Sequence, residues 1–128
     1  MTVQVSAVML GVQDLERAKA FYGSGLGCKV DKDFPNFVSF DLGEGSSDLA
    51  LYQWDAAAQD AGVPAAGSGF RGVSFHYLVA SNDEVDEVLA RAEAAGATIV
   101  RAAEGAPWGG YFGYFSDPDG HLWKVASR

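Results

Sequence analysis

The sequence predicts an α+β fold built from two βαβββ modules whose sheets together line a concave half-barrel cavity. Strand-like and helix-like segments follow one another in the same order in both halves of the 128 residues. In each half the helix comes only a few residues after the first strand, and each half has the length of one such unit. We therefore predict a single domain with module one at residues 1–66 and module two at 67–128.

The first module opens with the strand-like run VQVSAVML and continues into a short helix. Asp14 is the predicted N-cap, because its carboxylate can accept a hydrogen bond from the first turn. Gly25 and Gly27 are expected to end the helix. The apolar residues that follow Asp14 at helical spacing are Leu15, Ala18 and Tyr22.

Three further strands complete the first module, divided by Pro35 and by the turn-forming cluster GEGSS. The linker WDAAAQDAGVPAAGSG then predicts one short helix before Pro64. The predicted strands read CKVDKDF, NFVSFDL and DLALYQ.

The second module repeats this order, starting with the strand GVSFHYLVA. Ser81 or Asn82 can cap its helix, acidic residues occupy the first turn, and Gly96 is expected to end it. The predicted apolar stripe of this helix contains Val85, Val88, Leu89 and Ala92. Strands ATIVRA, GGYFGYFS and HLWKVAS follow, and turn chemistry accounts for Asp117 and Asp119 between the last two.

Composition limits the partners of this chain. A net charge of −8 disfavours nucleic acids and anionic membrane surfaces, so we expect neither as a partner. The N-terminal residues resemble no export signal, and no apolar run approaches the ~20 residues of a membrane-spanning helix, which predicts a cytoplasmic protein. The single cysteine, Cys28, cannot form an intrachain disulfide or a cysteine-based zinc cluster. A neutral or cationic small molecule suits this surface best.

Two segments resemble the vicinal oxygen chelate superfamily, which includes glyoxalase I, extradiol dioxygenases and the bleomycin-resistance proteins. They are LGVQDLERAKAFYGSGLGCKV near the start and SDPDGHLWKVA near the end. The segment PWGGYFGYFSDPDG is also similar to its counterpart in bleomycin-resistance proteins. The resemblance covers nearly the whole chain and implies paired βαβββ modules, a small-molecule ligand and a homodimer.

The resemblance also implies where a metal would bind. Metal-dependent members place His, Glu or Gln at positions that fall here on Ala7, Ala50, Ser74 and Lys124. Alanine has no ligating atom, and an ammonium group cannot bind a cation. We therefore predict no metal ligands and no cofactor; a divalent metal bound by other residues is the alternative.

Lys124 and His76 are the candidate catalytic residues. Strand alternation places Lys124 on one face with Leu122 and Ala126. There it could bind an anion or a carbonyl group, or act as a desolvated base, or simply extend to solvent or pair with a carboxylate such as Asp48. His76 could be a general base or a ligand anchor, or a structural histidine.

Five further residues complete the predicted ligand-binding set. Met9 and Tyr52 are expected in the first module, and Ser74, Trp108 and Tyr111 in the second. Aromatic side chains can stack on a planar ligand, whereas packing in the wall of the cavity is the structural alternative.

The composition, the family resemblance and the candidate residues are compatible with three functions. The first is a metal-independent binding protein that sequesters an aromatic or cationic compound. The second is an enzyme of the same superfamily, a lyase, isomerase or dioxygenase that acts on a small oxygenated substrate. The third is a regulatory or interaction module with an unused cavity. Whether the chain catalyses a reaction is left undecided, because this fold serves both binding proteins and enzymes.

Overall fold

The computed structural model describes residues 5–61, 63–67, 71, 73–107 and 109–127. The chain divides into two compact units, one reaching to Gly67 and the other starting at Ser68. Each unit contains one four-stranded sheet with a helix after its first strand, so the predicted α+β class with two βαβββ modules is confirmed. No helix in the described ranges has the length and apolar character needed to cross a bilayer.

The first unit has the strand order β1-β4-β3-β2, in which β1 runs parallel to β4 and the other neighbours are antiparallel. Strand β4 leads directly into a second helix, as the linker composition predicted. The elements are β1 (Ala7–Val12), α1 (Leu15–Ala20), a π-helical turn (Phe21–Gly25), β2 (Lys29–Phe34), β3 (Phe37–Asp41), β4 (Asp48–Gln53) and α2 (Trp54–Ala61).

Helix α1 begins at the predicted cap. The Asp14 carboxylate accepts a hydrogen bond from the Arg17 amide at 3.0 Å. After the π-helical turn, Gly27 adopts a φ of +79°, which lets the chain turn toward β2 without a side-chain clash. Side chains from this helical segment pack on one face of the sheet and bury Leu10, Val12, Phe21, Tyr22, Val38, Phe40, Leu49 and Leu51.

The second unit has the strand order β5-β8-β7-β6, with β5 parallel to β8. It therefore repeats the topology of the first unit. Its elements are β5 (Ser74–Val79), α3 (Asn82–Ala94), β6 (Thr98–Gly105), β7 (Tyr111–Ser116) and β8 (Leu122–Ser127).

Helix α3 is capped at both ends. Of the two predicted N-caps the structure uses Ser81, whose hydroxyl accepts a hydrogen bond from the Glu84 amide at 3.2 Å. At the other end Gly96 has a φ of +117°, and the Ala97 amide donates to the Ala92 carbonyl at 2.9 Å. This is the Schellman arrangement, which satisfies carbonyl groups that have no partner within the helix.

Helix α3 lies very close to its sheet at Gly113. A Cβ atom at that position would come within 2.7 Å of the Leu89 Cδ1 atom and 2.9 Å of the Arg101 carbonyl oxygen. Phe115 and Val125 are buried on the same face. These residues show which face of the second sheet the helix covers.

The turn between β7 and β8 is organised by Asp117, which is only 3% exposed. Its Oδ1 atom accepts hydrogen bonds from the amides of Asp119 and His121, both at 2.9 Å. The interpretation of Asp117 as a turn residue is confirmed.

Candidate functional site

Each sheet has a face opposite its long helical segment, which we call its distal face. Because successive side chains of a strand alternate, the register assigns each residue to one face. The first distal face includes Ala7, Met9, Phe37, Ser39, Asp48, Ala50 and Tyr52. The second distal face includes Ser74, His76, Leu78, Phe112, Tyr114, Leu122, Lys124 and Ala126.

The first distal face is mainly apolar. Met9 and Ala50 are register partners on the parallel strands β1 and β4, and Met9 is 44% exposed. The Tyr52 and Phe37 rings meet edge to face with centroids 6.0 Å apart. Met9 and Tyr52 thus share one face. Their contact with a ligand stays a prediction.

Three predicted site residues lie together on the second distal face. His76 and Lys124 are register partners on the parallel strands β5 and β8. The Ser74 hydroxyl lies 3.3 Å from the His76 Nε2 atom, within hydrogen-bonding distance. His76 is exposed, whereas Ser74 and Lys124 are partly buried. The predicted alternation of Lys124 with Leu122 and Ala126 is confirmed.

The Lys124 ammonium lies above an aromatic ring. Its Nζ atom is 4.5 Å from the centroid of Phe112, and the Arg101 guanidinium carbon is 4.7 Å from the same centroid. Both distances are typical of cation–π interactions. Arg101 also forms an ion pair with Glu104 at 3.1 Å. This face therefore combines two cations with a ring that is only 7% exposed.

Arg101, Phe112 and Tyr114 were not among the predicted site residues. Strand alternation in YFGYF puts Phe112 and Tyr114 on one face, but it does not say which face the helix covers. Arg101 was harder to find, because the register of β6 shifts between Ile99 and Arg101. Such a bulge reverses the alternation beyond it.

Tyr111 lies apart from the other predicted ligand contacts. It belongs to the helix-covered face of β7, and its hydroxyl donates to the Asp86 Oδ1 atom of α3 at 2.6 Å. That hydrogen bond, aided by desolvation, raises the pKa of the Tyr111 phenol above its ordinary value. Tyr111 therefore anchors β7 to the helix instead of facing the same side as Lys124. Trp108 lies outside the described residues.

The residues at the four implied ligand positions do not fit a divalent metal. All four lie on the distal faces, but Ala7 and Ala50 offer no donor atom and Lys124 carries a positive charge. Among the residues that the structure describes, no group of three or more His, Cys, Asp or Glu side chains could hold a metal ion. Metal binding at this site would need ligands that this set does not contain.

A separate groove of about 380 Å³ lies in the first unit, beside α1. Glu16, Lys19 and Cys28 contribute to its lining. Lys19 is paired with Asp33, which raises the pKa of the ammonium. None of the predicted site residues lines this groove, so it does not mark the site that the sequence predicts.

Comparisons with known proteins agree with this architecture. The family model for the glyoxalase/bleomycin resistance protein/dioxygenase superfamily matches residues 4–125. A glyoxalase-related enzyme from Fulvimarina pelagi is 32% identical, with a TM-score of 0.88 over 98% of this chain and 88% of that one. No curated protein gave a match.

Two further solved structures are also similar. A lactoylglutathione lyase from Agrobacterium tumefaciens is 25% identical, with a TM-score of 0.73 over 98% of this chain and 94% of that one. A superfamily protein from Burkholderia phytofirmans is 20% identical, with a TM-score of 0.83 over 98% of each chain, and its likeness bears on the fold alone. The chain therefore belongs to the glyoxalase/bleomycin resistance protein/dioxygenase superfamily.

Proposed function

We propose that this protein is a metal-independent binder of small organic molecules and that it sequesters an aromatic compound. The observation that carries the proposal is the position of Lys124. Metal-dependent relatives would place a carboxylate there, whereas this chain places an ammonium 4.5 Å from the Phe112 ring. A positive charge at one of the implied ligand positions opposes the binding of a divalent cation.

Aromatic side chains on both distal faces support an aromatic ligand. Phe112 and Tyr114 meet edge to face with centroids 6.1 Å apart, and Phe37 and Tyr52 form a similar pair in the first unit. Tyr114 and Tyr52 are each partly exposed, which leaves ring surface for a planar molecule. A cationic ligand, which the net charge alone also favoured, is less compatible with Lys124 and Arg101.

Elemental analysis and melting experiments test the absence of metal dependence. The protein would be purified without chelators and without a histidine tag, then melted in EDTA and with added Ni, Zn, Mn, Fe or Mg ions. We expect substoichiometric metal and an unchanged melting temperature. One metal ion per chain, or a rise of several degrees that EDTA reverses, would contradict the proposal.

A panel of small aromatic compounds tests the binding function. A compound present at 100 times its dissociation constant stabilises the folded state by about 2.7 kcal/mol, which is easily seen as a melting shift. We expect at least one compound of the panel to produce such a shift. No shift from any compound at millimolar concentration would contradict the binding function.

Catalysis by the same face is the second candidate. The hydrogen bond between Ser74 and His76, beside Lys124, is an arrangement that could transfer a proton. The related structure from Agrobacterium tumefaciens is named a lactoylglutathione lyase. NMR would follow the consumption of small carbonyl compounds by the protein and by a His76→Gln variant. Turnover at saturating substrate that the variant loses would favour an enzyme.

We also propose a homodimer, which the family resemblance implies. Light scattering coupled to size-exclusion chromatography tests this directly. A mass of about 27 kDa, twice that of the 13.5 kDa chain, is expected. A mass of one chain at all concentrations would contradict it.

A further inference from the structure

We propose that the second distal face is an anion site and that its ligand is a small organic carboxylate bound by Lys124 and His76. This inference rests on the proposed function, because it names the ligand class of the same face. Lys124 falls on a position where metal-dependent members place a ligand for a cation, and here its ammonium group would attract an anion instead.

The distribution of charge supports an anionic ligand. The chain has 17 acidic residues, yet β5, β7 and β8 contain none of them. The one carboxylate on the four strands of this sheet is Glu104, which is paired with Arg101. The strands of this sheet thus hold two cationic side chains, Lys124 and Arg101, and one carboxylate, within an acidic protein. A small anion would be attracted here and repelled by most of the remaining surface.

The geometry suits the two oxygens of a carboxylate. Register partners on neighbouring strands have Cα atoms about 4.8 Å apart, so the side chains of His76 and Lys124 emerge next to each other. A carboxylate lying across them can accept one hydrogen bond from the ammonium and one from the His76 Nδ1–H group, while the Ser74 hydroxyl donates to Nε2. Hydrogen bonds to charged groups are about twice as strong as neutral ones.

The neighbouring side chains orient both donors. The Ser74 hydroxyl lies 3.3 Å from the His76 Nε2 atom and restrains the rotation of the ring. The Phe112 ring, with its centroid 4.5 Å from the Lys124 Nζ atom, attracts the ammonium to the sheet surface. Restraining the imidazole before binding reduces the entropy lost when the ligand binds. The ammonium lies over Phe112 of β7 and turns toward β5 when it shares the carboxylate with His76.

Three ligands with the same ring test the charge preference. Benzoate, benzamide and benzamidine carry charges of −1, 0 and +1 at neutral pH, and isothermal titration calorimetry gives a dissociation constant for each. We expect benzoate to bind at least about tenfold more tightly than benzamide, as one charge-assisted hydrogen bond would provide, and benzamidine to bind most weakly.

Variants of two lysines locate the effect. Lys124→Met should weaken benzoate binding about tenfold or more and leave benzamide within about twofold, whereas Lys124→Arg should retain the preference. Lys32→Met is the matched control, because it removes the same charge from exposed strand β2 of the first unit. Its benzoate affinity should stay within about twofold of the wild-type value.

Several results would overturn the inference. Benzoate binding no tighter than benzamide would remove the anion preference and leave the binding function intact. If Lys32→Met and Lys124→Met lost benzoate affinity equally, the effect would come from the overall charge of the protein and not from a site at Lys124. Inorganic phosphate displacing benzoate at equal concentration would overturn the assignment to a carboxylate. If none of the three ligands bound and no compound of the aromatic panel shifted the melting temperature, the binding function would be overturned as well.

Discussion

The two sheets of this protein share one topology and differ in the chemistry of their distal faces. Met9 and Ala50 are register partners on β1 and β4, and His76 and Lys124 occupy the corresponding places on β5 and β8. The first pair is apolar, and the second carries an imidazole and an ammonium group. The repeated backbone therefore determines where side chains meet, and the residue types determine what those places can bind.

The helices that cover the two sheets also differ. Helix α1 has six residues and continues into a π-helical turn, whereas α3 has 13 residues and is capped at both ends. Gly113 allows α3 to approach its sheet closely, and the nearest neighbour of a Cβ atom at Gly23 in the first unit would be Phe40 at an ordinary 3.6 Å. Gly113 under α3 should thus be less tolerant of added volume than Gly23 beside α1.

The largest predicted effect tests that difference in packing. Gly113→Ala would place a Cβ atom 2.9 Å from the Arg101 carbonyl, which belongs to the backbone and cannot move easily. We expect a loss of about 1–3 kcal/mol in the free energy of unfolding, measured by urea denaturation. Gly23→Ala is the control and should be neutral or stabilising by up to about 1 kcal/mol. Equal losses of unfolding free energy in Gly113→Ala and Gly23→Ala would contradict the difference in packing between the two positions.

A smaller effect is expected at the helix caps. Ser81→Ala removes the hydroxyl that accepts from the Glu84 amide and should cost about 1 kcal/mol of stability. Ser81→Thr keeps an acceptor oxygen and serves as the control. Thermal denaturation of the two variants provides the comparison, and identical melting temperatures would show that the cap contributes nothing.

The cation–π contact on the second distal face should contribute little to stability. Lys124→Met loses the interaction with Phe112 and should cost less than about 1 kcal/mol, since such contacts are weak where water has access. Urea denaturation of this variant also checks that a loss of benzoate affinity does not come from unfolding. A loss above 3 kcal/mol would mean that Lys124 is chiefly structural.

The smallest effect concerns the titration of Tyr111. Because the hydrogen bond to Asp86 raises its folded-state pKa, this bond adds stability below pH ~10 that is lost as the pH rises through that pKa. Asp86→Asn should shift the ionisation of one tyrosine to lower pH, as followed by ultraviolet absorbance. Glu87→Gln, on the same helix, is the control and should leave the titration unchanged. An unchanged curve in Asp86→Asn would show that the bond is not formed in solution.

Local signals in the sequence predicted much of the fold. Asp14 and Ser81 act as caps and Asp117 organises its turn, because each of these roles depends on residues close by in the chain. The face of Lys124 followed from strand alternation. The π-helical turn at Phe21–Gly25 was missed, since its apolar spacing is also compatible with a regular helix.

The parts of the site that were missed depend on longer-range contacts. Arg101 joins the second distal face only because a bulge in β6 reverses its alternation. The partner of Tyr111 lies 25 residues earlier in the chain, on a helix whose covered face no local pattern could specify. Alternation divides the residues of a strand into two sets, but only tertiary packing decides which set the helix covers.

An NMR titration of the ¹⁵N-labelled protein with benzoate tests the difference between the two faces most directly. We predict that the largest amide shift changes fall on His76, Tyr114 and Lys124, while Met9 and Ala50 change little. Changes concentrated on Met9 and Ala50, or spread evenly over both sheets, would contradict an anion site on the second distal face.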